Sequence, residues 1–401
     1  MLLSFRRAIG ACLVGVCALG VHAQSSPTTV KFDRRKGVVI EKDSTFKMTI
    51  RFRMQNRFAL LSEDGDDLGP TGSDIRIRRT RLRFDGFVLS PKLQYKIQLG
   101  FSKADLDLVE TTTAQPIRDA IVYYNPDAHW SFGFGQSKLP GNRQRVVSSG
   151  ALQLPDRSIV NGLFTLDRDM GFFANWTNHN EHHELQVKAA ITTGEGRNAN
   201  PNDEGLCYTG RVEWLPLGTF ANEGDYFEGD LEREPKPKVS LAAGYSTNQD
   251  ARRAGGQLGE FFPGTDERTL NVFIADALFK HRGWALTTEY CQREVVGEPL
   301  VEEESGTVLA YEGWGWNTQL SRMVGKVGYE LVGRYSLVRP GKRIADIQTA
   351  REEAWVGCTR YINHHRVKVQ GALSYAWRDG HAAFDQPNTR WGLWFQMELG
   401  I

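Results

Sequence analysis

Two neighbouring segments of the chain carry cationic side chains at alternate positions. The cations are Lys47, Arg51, Arg53 and Arg57 in the first segment, and Arg79, Arg81 and Arg83 in the second. This arrangement supplies no nucleophile, but rows of guanidinium groups lower the potential energy of a negative solute. The alternative interpretation is structural, with the arginines paired to Asp and Glu from other segments to brace a wall. Because the formal net charge is only +1, many of these cations must be paired somewhere.

The residues between the cations are apolar, which is the signature of an amphipathic β-strand with one apolar face. The first segment alternates its cations with Phe46, Met48, Ile50, Phe52, Met54 and Phe58. A row of like charges on the other face is costly unless water or anions screen it. Counted in the phase of Thr80 and Leu82, Arg76 and Arg78 are expected on the apolar face, at its rim.

The same alternation recurs to the end of the chain, where Leu393, Phe395, Met397 and Leu399 alternate with Gln396 and Glu398. About sixteen strands can be counted, joined by short turns on one side and long polar loops on the other. Aromatic residues gather at strand ends, and closure would remove exposed edges, both of which argue against a soluble sandwich. The pattern predicts an all-β fold: a transmembrane antiparallel β-barrel of about sixteen strands with long external loops.

Two features of the barrel pattern stay open. The long acidic segment 216–237 falls where a short turn is expected, so either a strand pair is miscounted or the segment is a periplasmic elaboration; we favour the elaboration. The strands near 117–124, 269–280 and 350–361 are ambiguous in phase. The directions of Asp119 and Asp276 are therefore undecided.

The N-terminus reads as a secretory signal. Arg6 and Arg7 precede an apolar run from Ala8 to Val21 and a small-residue cleavage site ending at Ala23. The predicted organisation is a signal peptide over 1–23, a leader over 24–45 and the barrel over 46–401. Together these segments predict the outer membrane of a bacterial cell, with membrane lipid around the wall.

The longest loop, 138–169, carries five cations: Lys138, Arg143, Arg145, Arg157 and Arg168. A loop of this length inside a small barrel can fold inward and constrict the lumen. The alternative is an external surface loop.

No motif points to an enzyme. The chain lacks GxSxG, HExxH and GxxxxGK[ST] patterns, and no cofactor or metal is predicted. After signal cleavage three cysteines remain without metal spacing. The pairs His182-His183 and His364-His365 fall in turns and are expected to be solvated rather than metal-bound. Glu302–Glu304 reads as a solvated charge run. A secreted chain also argues against a nucleic-acid partner.

Several motifs carry a resemblance to a known family. They are RRTRLRFDGFVLSPKLQYKIQLGF (78–101), RDAIVYYNPDAHWSFGFGQSKLP (118–140), LPDRSIVN (154–161) and DRDMGFF (167–173). In this order they resemble the phosphate-selective porins of the O and P type, over nearly the whole mature chain. The resemblance implies a sixteen-stranded, homotrimeric outer-membrane channel, with Lys138 and Arg157 at positions similar to the basic residues of the family's constriction.

The chain also departs from that family. It ends in Ile401 rather than an aromatic residue, and its constriction segment lacks the dense lysines of a phosphate specialist. We therefore expect passive diffusion of small solutes with a preference for anions, phosphate among them. The predicted anion pathway comprises Arg51, Arg53, Arg57, Arg79, Arg81, Arg83, Lys138 and Arg157. The alternative is a plugged structural or adhesive barrel whose loops bind partners.

Overall fold

The structure is a computed structural model that describes residues 27–33, 35–106, 114–180, 182–199, 205–300, 308–325, 328–377 and 390–401. The predicted signal peptide and the Glu302–Glu304 run lie outside these residues.

In the described chain, sixteen antiparallel strands, β3 to β18, close into a barrel, which confirms the predicted fold class. Closure is made by β18 against β3, from Trp391 opposite Ser62 to Gly400 opposite Arg53. The strands, with the two that precede the barrel, are β1 Thr29–Asp33, β2 Gly37–Lys42, β3 Phe46–Ser62, β4 Gly72–Val88, β5 Leu93–Gly100, β6 Ile117–Tyr124, β7 Trp130–Lys138, β8 Arg168–His179, β9 Glu184–Thr192, β10 Cys207–Leu215, β11 Lys238–Ala251, β12 Arg268–His281, β13 Trp284–Val295, β14 Gly313–Val324, β15 Tyr329–Pro340, β16 Arg351–Asn363, β17 Val367–Ala376 and β18 Trp391–Gly400.

The first two strands form a hairpin that extends the wall. Strand β2 pairs with the start of β3, from Val38 opposite Ile50 to Lys42 opposite Phe46. This is the part of β3 that lies beyond its pairing with β18. The hairpin therefore belongs to the short-turn end of the barrel and places its turn, with Arg35, at the mouth.

The wall has an apolar outer face and a polar inner face. On β18, Leu393, Phe395, Met397 and Leu399 are 44–53% exposed, whereas the alternating Gln396 and Glu398 are 1% exposed. An outer face of this kind is solvated by lipid chains, and closure leaves no backbone group of the wall unpaired toward them. The inner side chains are buried because other segments of the chain fill the lumen.

The prediction that Arg76 and Arg78 face lipid is wrong. A β-bulge interrupts the pairing of β3 with β4: Gln55 opposes Arg79, but Asn56 opposes Ile77, so Arg78 is the extra residue. A bulge shifts the alternation by one position. Consequently Arg76 opposes Arg57 on the inner face, and Ile75 and Ile77 take the outer face, 71% and 58% exposed.

A second bulge and an apolar inner patch explain why the phase was ambiguous near 117–124 and 269–280. Arg118 is the extra residue where Gln98 opposes Asp119 and Leu99 opposes Ile117. Strand β12 is apolar on both faces, with Phe273 42% exposed outside and Ile274 1% exposed inside. Asp119 and Asp276 both point inward, where they form ion pairs.

The segment 216–237 does not conceal a missing strand pair. Strand β10 pairs directly with β11, from Cys207 opposite Asn248 to Trp214 opposite Leu241. The miscount alternative is therefore wrong, and the segment is an elaboration of a connection at the short-turn end. It contains a 3₁₀ segment, Ala221–Tyr226.

Three short helices lie in the long loops: α1 Lys103–Leu106, α2 Arg143–Val146 and α3 Ile159–Phe164. The last two belong to the 138–169 loop, which lies inside the barrel. There Ile159, Val160 and Phe164 pack with inward side chains of the wall such as Ile274. No helix in the described ranges is long and apolar enough to cross a membrane.

The bulge generates a prediction about the outer face. We expect Ile77→Lys to lower the free energy of unfolding by about 1–4 kcal/mol, because it places a charge against lipid. The inward substitution Arg76→Lys keeps its cation near Asp74 and should cost less than about 1 kcal/mol. Urea titration of barrels folded into lipid vesicles measures both. A larger loss for Arg76→Lys would show that the phase assignment is incorrect.

Candidate anion pathway

A column of guanidinium groups runs up the inner face of β3 and β4. Starting at the short-turn end, Arg51 opposes Arg83, Arg53 opposes Arg81, and Gln55 opposes Arg79. Beyond the bulge Arg57 opposes Arg76. Successive inward residues of one strand are about 7 Å apart, so the column is nearly continuous over half of the strand.

The carboxylates that face this column are shared. Asp85 lies 2.6 Å from an Nη of Arg51 and 2.8 Å from Nε of Arg83. Asp105 on α1 lies 2.7 Å from Arg81 and 2.7 Å from Arg118. One carboxylate neutralises one cation, so positive charge remains at each of these positions.

Asp156 completes the upper part of the column and comes from the 138–169 loop. Its carboxylate lies 2.6 Å from Arg57, 3.3 Å from Arg78 and 3.8 Å from Arg79. Burial opposes ionisation of Asp156, but the guanidinium groups of Arg78, Arg57 and Arg79 outweigh it and hold its pKa well below the usual range. The bulged Arg78 thus fixes the loop to the wall.

Lys138 and Arg157 donate hydrogen bonds to backbone oxygens of the 138–169 loop. The Lys138 ammonium donates to the carbonyls of Arg145, Val146 and Val147, at 2.7, 3.1 and 3.3 Å. Arg157 donates to the carbonyls of Gln144 and Val147, at 2.6 and 3.0 Å. Both cations therefore neutralise the exposed carbonyls at the end of α2. In this conformation they position the loop.

A buried ion cluster holds the start of the same loop. The Arg143 guanidinium on α2 lies 2.8 Å from Glu213 on β10 and 2.9 Å from Asp276 on β12, and it donates to Ser240 at 2.7 Å. Arg211 also binds Asp276, at 2.6 Å. These groups come from distant parts of the chain, and local alternation gives no signal that joins them.

The 216–237 segment enters the lumen from the short-turn end and meets the 138–169 loop. The Glu228 carboxylate accepts from the Gln153 backbone N–H at 2.8 Å and from Gln319 at 3.0 Å. Lys280 on β12 donates to the Phe227 carbonyl at 2.8 Å, and Arg143 donates to the Asp225 carbonyl at 3.1 Å. The two segments therefore form one interlocked mass inside the wall.

Asp225 and His365, which lie in two connections at the short-turn end of the barrel, have shifted pKa values. Burial, reinforced by the charge of Glu213, raises the pKa of Asp225 to about 6. Burial and then the charges of Lys368 and Lys280 hold the pKa of His365 well below its usual value. His365 was expected to be solvated. Instead its ring packs against Phe227, with centroids 5.5 Å apart, and its Nε2 lies 3.2 Å from the Glu228 carbonyl.

A cavity of about 410 Å³, here called the mouth cavity, lies between the column and the 216–237 segment. On the wall side it is lined by the first two arginine pairs and by Glu398 of β18, whose carboxylate lies 3.7 Å from Arg53. Arg35 and Arg366 add two more cations at its rim. Its opposite wall is made by Tyr226, Phe227, Leu231 and Glu232.

The structure thus brings four of the eight predicted residues, Arg51, Arg53, Arg81 and Arg83, to one cavity. Arg57 and Arg79 continue the column above it, and Lys138 and Arg157 lie elsewhere. Arg366 and Glu398 were not predicted as site residues, although Glu398 stands in the polar phase of its strand. In the described ranges no group of three or more His, Cys, Asp and Glu side chains is arranged to hold a metal ion.

Comparison with solved structures shows the porin fold. The outer membrane channel DcaP of Acinetobacter baumannii is 12% identical, with a TM-score of 0.52 over 89% of this chain and 100% of that one. OmpF of Salmonella typhi, solved with daunomycin, is 12% identical with a TM-score of 0.55 over 90% and 100%. OmpT of Vibrio cholerae, in a trimer form, is 10% identical with a TM-score of 0.52 over 88% and 99%.

A search of curated proteins gave no match. The model of the family described as phosphate-selective porin O and P matches residues 46–343, which is most of the chain. Family and fold together indicate an outer-membrane channel in a bacterial outer membrane. The chain belongs to the phosphate-selective porin O and P family.

Proposed function

We propose that this protein is a passive channel that favours small anions over cations. The observation that carries the proposal is the shared carboxylate: Arg51 and Arg83 flank the mouth cavity with only Asp85 between them. A solute entering there meets more positive than negative charge, although the whole chain is nearly neutral. A pore lined in this way concentrates anions and excludes cations.

The bracing role of the arginines and an anion preference are compatible. Ion pairs hold the side chains in place, and the cations that exceed the carboxylates set the sign of the local potential. Phosphate is one candidate solute because of the family to which the chain belongs. The mature protein is proposed to act as a homotrimer surrounded by lipid, as the trimer form described for OmpT of Vibrio cholerae suggests.

One observation favours a second function, a plugged structural or adhesive barrel. The 138–169 and 216–237 segments interlock inside the wall, and inward wall residues such as Ser336 and Thr359 are 0% exposed. In that case the long loops at the other end would bind partners and the lumen would carry no current. Folded protein that never conducts in a planar bilayer would favour this function over a channel.

The anion preference is tested by the reversal potential of single channels across a KCl gradient. We expect the wild type to favour Cl⁻, and Arg51→Glu with Arg53→Glu to reverse the sign, because two cations at the cavity become two anions. The matched double variant Arg51→Lys and Arg53→Lys keeps the charge and should keep the preference. A wild-type channel that favours K⁺ would contradict the proposal.

The inward position of the 138–169 loop is tested by Arg143→Ala. Removing this guanidinium leaves Glu213 and Asp276 with fewer partners in a buried site, at a cost of about 3–5 kcal/mol, and frees α2 from the wall. We expect lower stability in urea and a larger, noisier single-channel current. Arg143→Lys should be intermediate, since an ammonium cannot reproduce the guanidinium fork. A wild-type current in Arg143→Ala would show that α2 does not limit conduction.

The docking of the 216–237 segment is expected to depend on pH through Asp225. Its pKa in the folded protein, about 6, lies above its ordinary value of 3.8, so its contribution to stability is fully present below pH 3.8 and is lost as pH rises through 6. Relative to Asp225→Asn, the wild type should lose on the order of 2–3 kcal/mol between pH 4 and 7.5. Urea titrations at both pH values measure this difference. The loop variant Asp66→Asn is the control and should behave as the wild type, whereas an equal pH response in Asp225→Asn would exclude Asp225 as the cause.

A further inference from the structure

We infer that the mouth cavity binds amphipathic carboxylates, meaning small organic acids with an aromatic or other apolar body, in preference to inorganic anions. The inference deepens the proposed function and rests on it, because it names the class of anion that the same site would take. It follows from three properties of the cavity: its donors, its apolar patch and its charge.

The donors at the rim of the cavity suit a carboxylate. Arg366 donates three hydrogen bonds, two to the Arg35 carbonyl at 3.1 and 2.5 Å and one to the Ile401 backbone oxygen at 3.0 Å. Two of these bonds go to a neutral carbonyl, and the third goes to an oxygen of the terminal carboxyl group of the sequence at Ile401. A guanidinium has five N–H donors, so two donors of Arg366 make no hydrogen bond to the described chain, and a planar carboxylate is an acceptor that suits a guanidinium.

The opposite wall of the cavity combines an apolar patch with the polar side chains of Asn222, Glu223 and Glu232. Tyr226, Phe227 and Leu231 present two rings and an aliphatic side chain toward the arginines. Phe227 is held in place, since the Lys280 ammonium lies 4.4 Å from its ring centroid and the His365 ring lies 5.5 Å away. A phosphate ion would lose water against this apolar patch and gain no hydrogen bond there. An aromatic or aliphatic body would instead bury apolar surface.

The size and charge of the cavity also favour a small monovalent carboxylate. A volume of about 410 Å³ falls within the range of roughly 300–1,000 Å³ that is typical of small-molecule sites. Three carboxylates also line the cavity: Glu398 beside the arginines, and Glu223 and Glu232 on the opposite wall. Each would repel a second negative charge on the ligand, so a monovalent carboxylate is favoured over a divalent anion.

The test uses full-length barrels folded in detergent and titrated calorimetrically with benzoate, inorganic phosphate and benzyl alcohol. Benzoate carries both features, phosphate has charge without an apolar body, and benzyl alcohol has the ring without charge. We expect benzoate to bind about tenfold or more tightly than benzyl alcohol, since one charged hydrogen-bonding group contributes at least that much. We expect a similar preference for benzoate over phosphate, because the benzoate ring buries apolar surface and phosphate has none to bury.

Two variants probe the two sides of the cavity. Arg366→Gln removes the donors and Leu231→Ala removes apolar surface, and each should weaken benzoate binding several-fold or more. Arg322→Gln is the matched control, because Arg322 lies outside the lumen over the Trp284 ring, and it should leave binding unchanged. Circular dichroism and a urea titration establish that each variant is folded.

The outcomes separate this inference from the proposed function. Phosphate binding as tight as benzoate, or no benzoate binding at all, overturns the inference. If the same preparation still favours Cl⁻ in the reversal-potential measurement, the anion channel stands and only its substrate class is wrong. Benzoate binding that survives in both cavity variants places the ligand elsewhere and also overturns the inference.

Discussion

Every guanidinium group inside the wall needs an acceptor, and this requirement shapes the rest of the lumen. Charged side chains on the outer face of a membrane barrel are costly, so most charged residues of the strands point inward. An unpaired buried charge is costly, and several kcal/mol are lost when a partner is removed. The acceptors come from other strands, as with Glu398, and from the inward loop, as with Asp156. The arginine column therefore dictates where the loop must lie.

The two inward segments depend on each other for the same reason. Arg143 of the first segment binds wall carboxylates and the Asp225 carbonyl of the second. Glu228 of the second binds the backbone of Gln153 in the first. A substitution in one segment therefore acts on the position of the other, and effects at these neighbouring sites should not be additive. Ionisation of the buried Asp225 is expected to weaken this arrangement near neutral pH, because the charge of Glu213 and burial both disfavour its ionised form.

Much of the wall was predictable because a membrane strand repeats every two residues and must keep one face apolar. This rule gave the barrel, its sixteen strands and the inward phase of Arg51 and Arg53. The rule failed for Arg76 and Arg78, because the bulge adds one residue to β4 and reverses the inward-outward alternation of the residues that precede it in the sequence. The rule could not predict the direction of Asp276, because the inner face of β12 is itself apolar where it packs on α3. The rule works only where the inner face is polar and the ladder is regular.

The partners that the inward loop and the closing strand supply to the arginines were not predictable, because they are distant in sequence. Arg57 meets Asp156 and Arg53 meets Glu398, contacts that only the closed barrel and the folded loop create. Lys138 and Arg157 illustrate the opposite case. Their motif positions are similar to those of basic constriction residues, yet here both donate to carbonyls at the end of α2.

The distribution of carboxylates explains how one set of arginines can brace the wall and still attract anions. Where Asp156 sits among three guanidinium groups, the column is closed by the loop and the cations serve mainly to hold it. Where Asp85 lies between Arg51 and Arg83, the same geometry opens onto the mouth cavity, and the remaining charge faces solute. The two parts of the column therefore contain the same residue type and differ in whether the inward loop covers them. The proposed selectivity depends on which arginines the inward segments leave exposed, so a change in either segment is expected to alter the proposed anion path even if every arginine is kept.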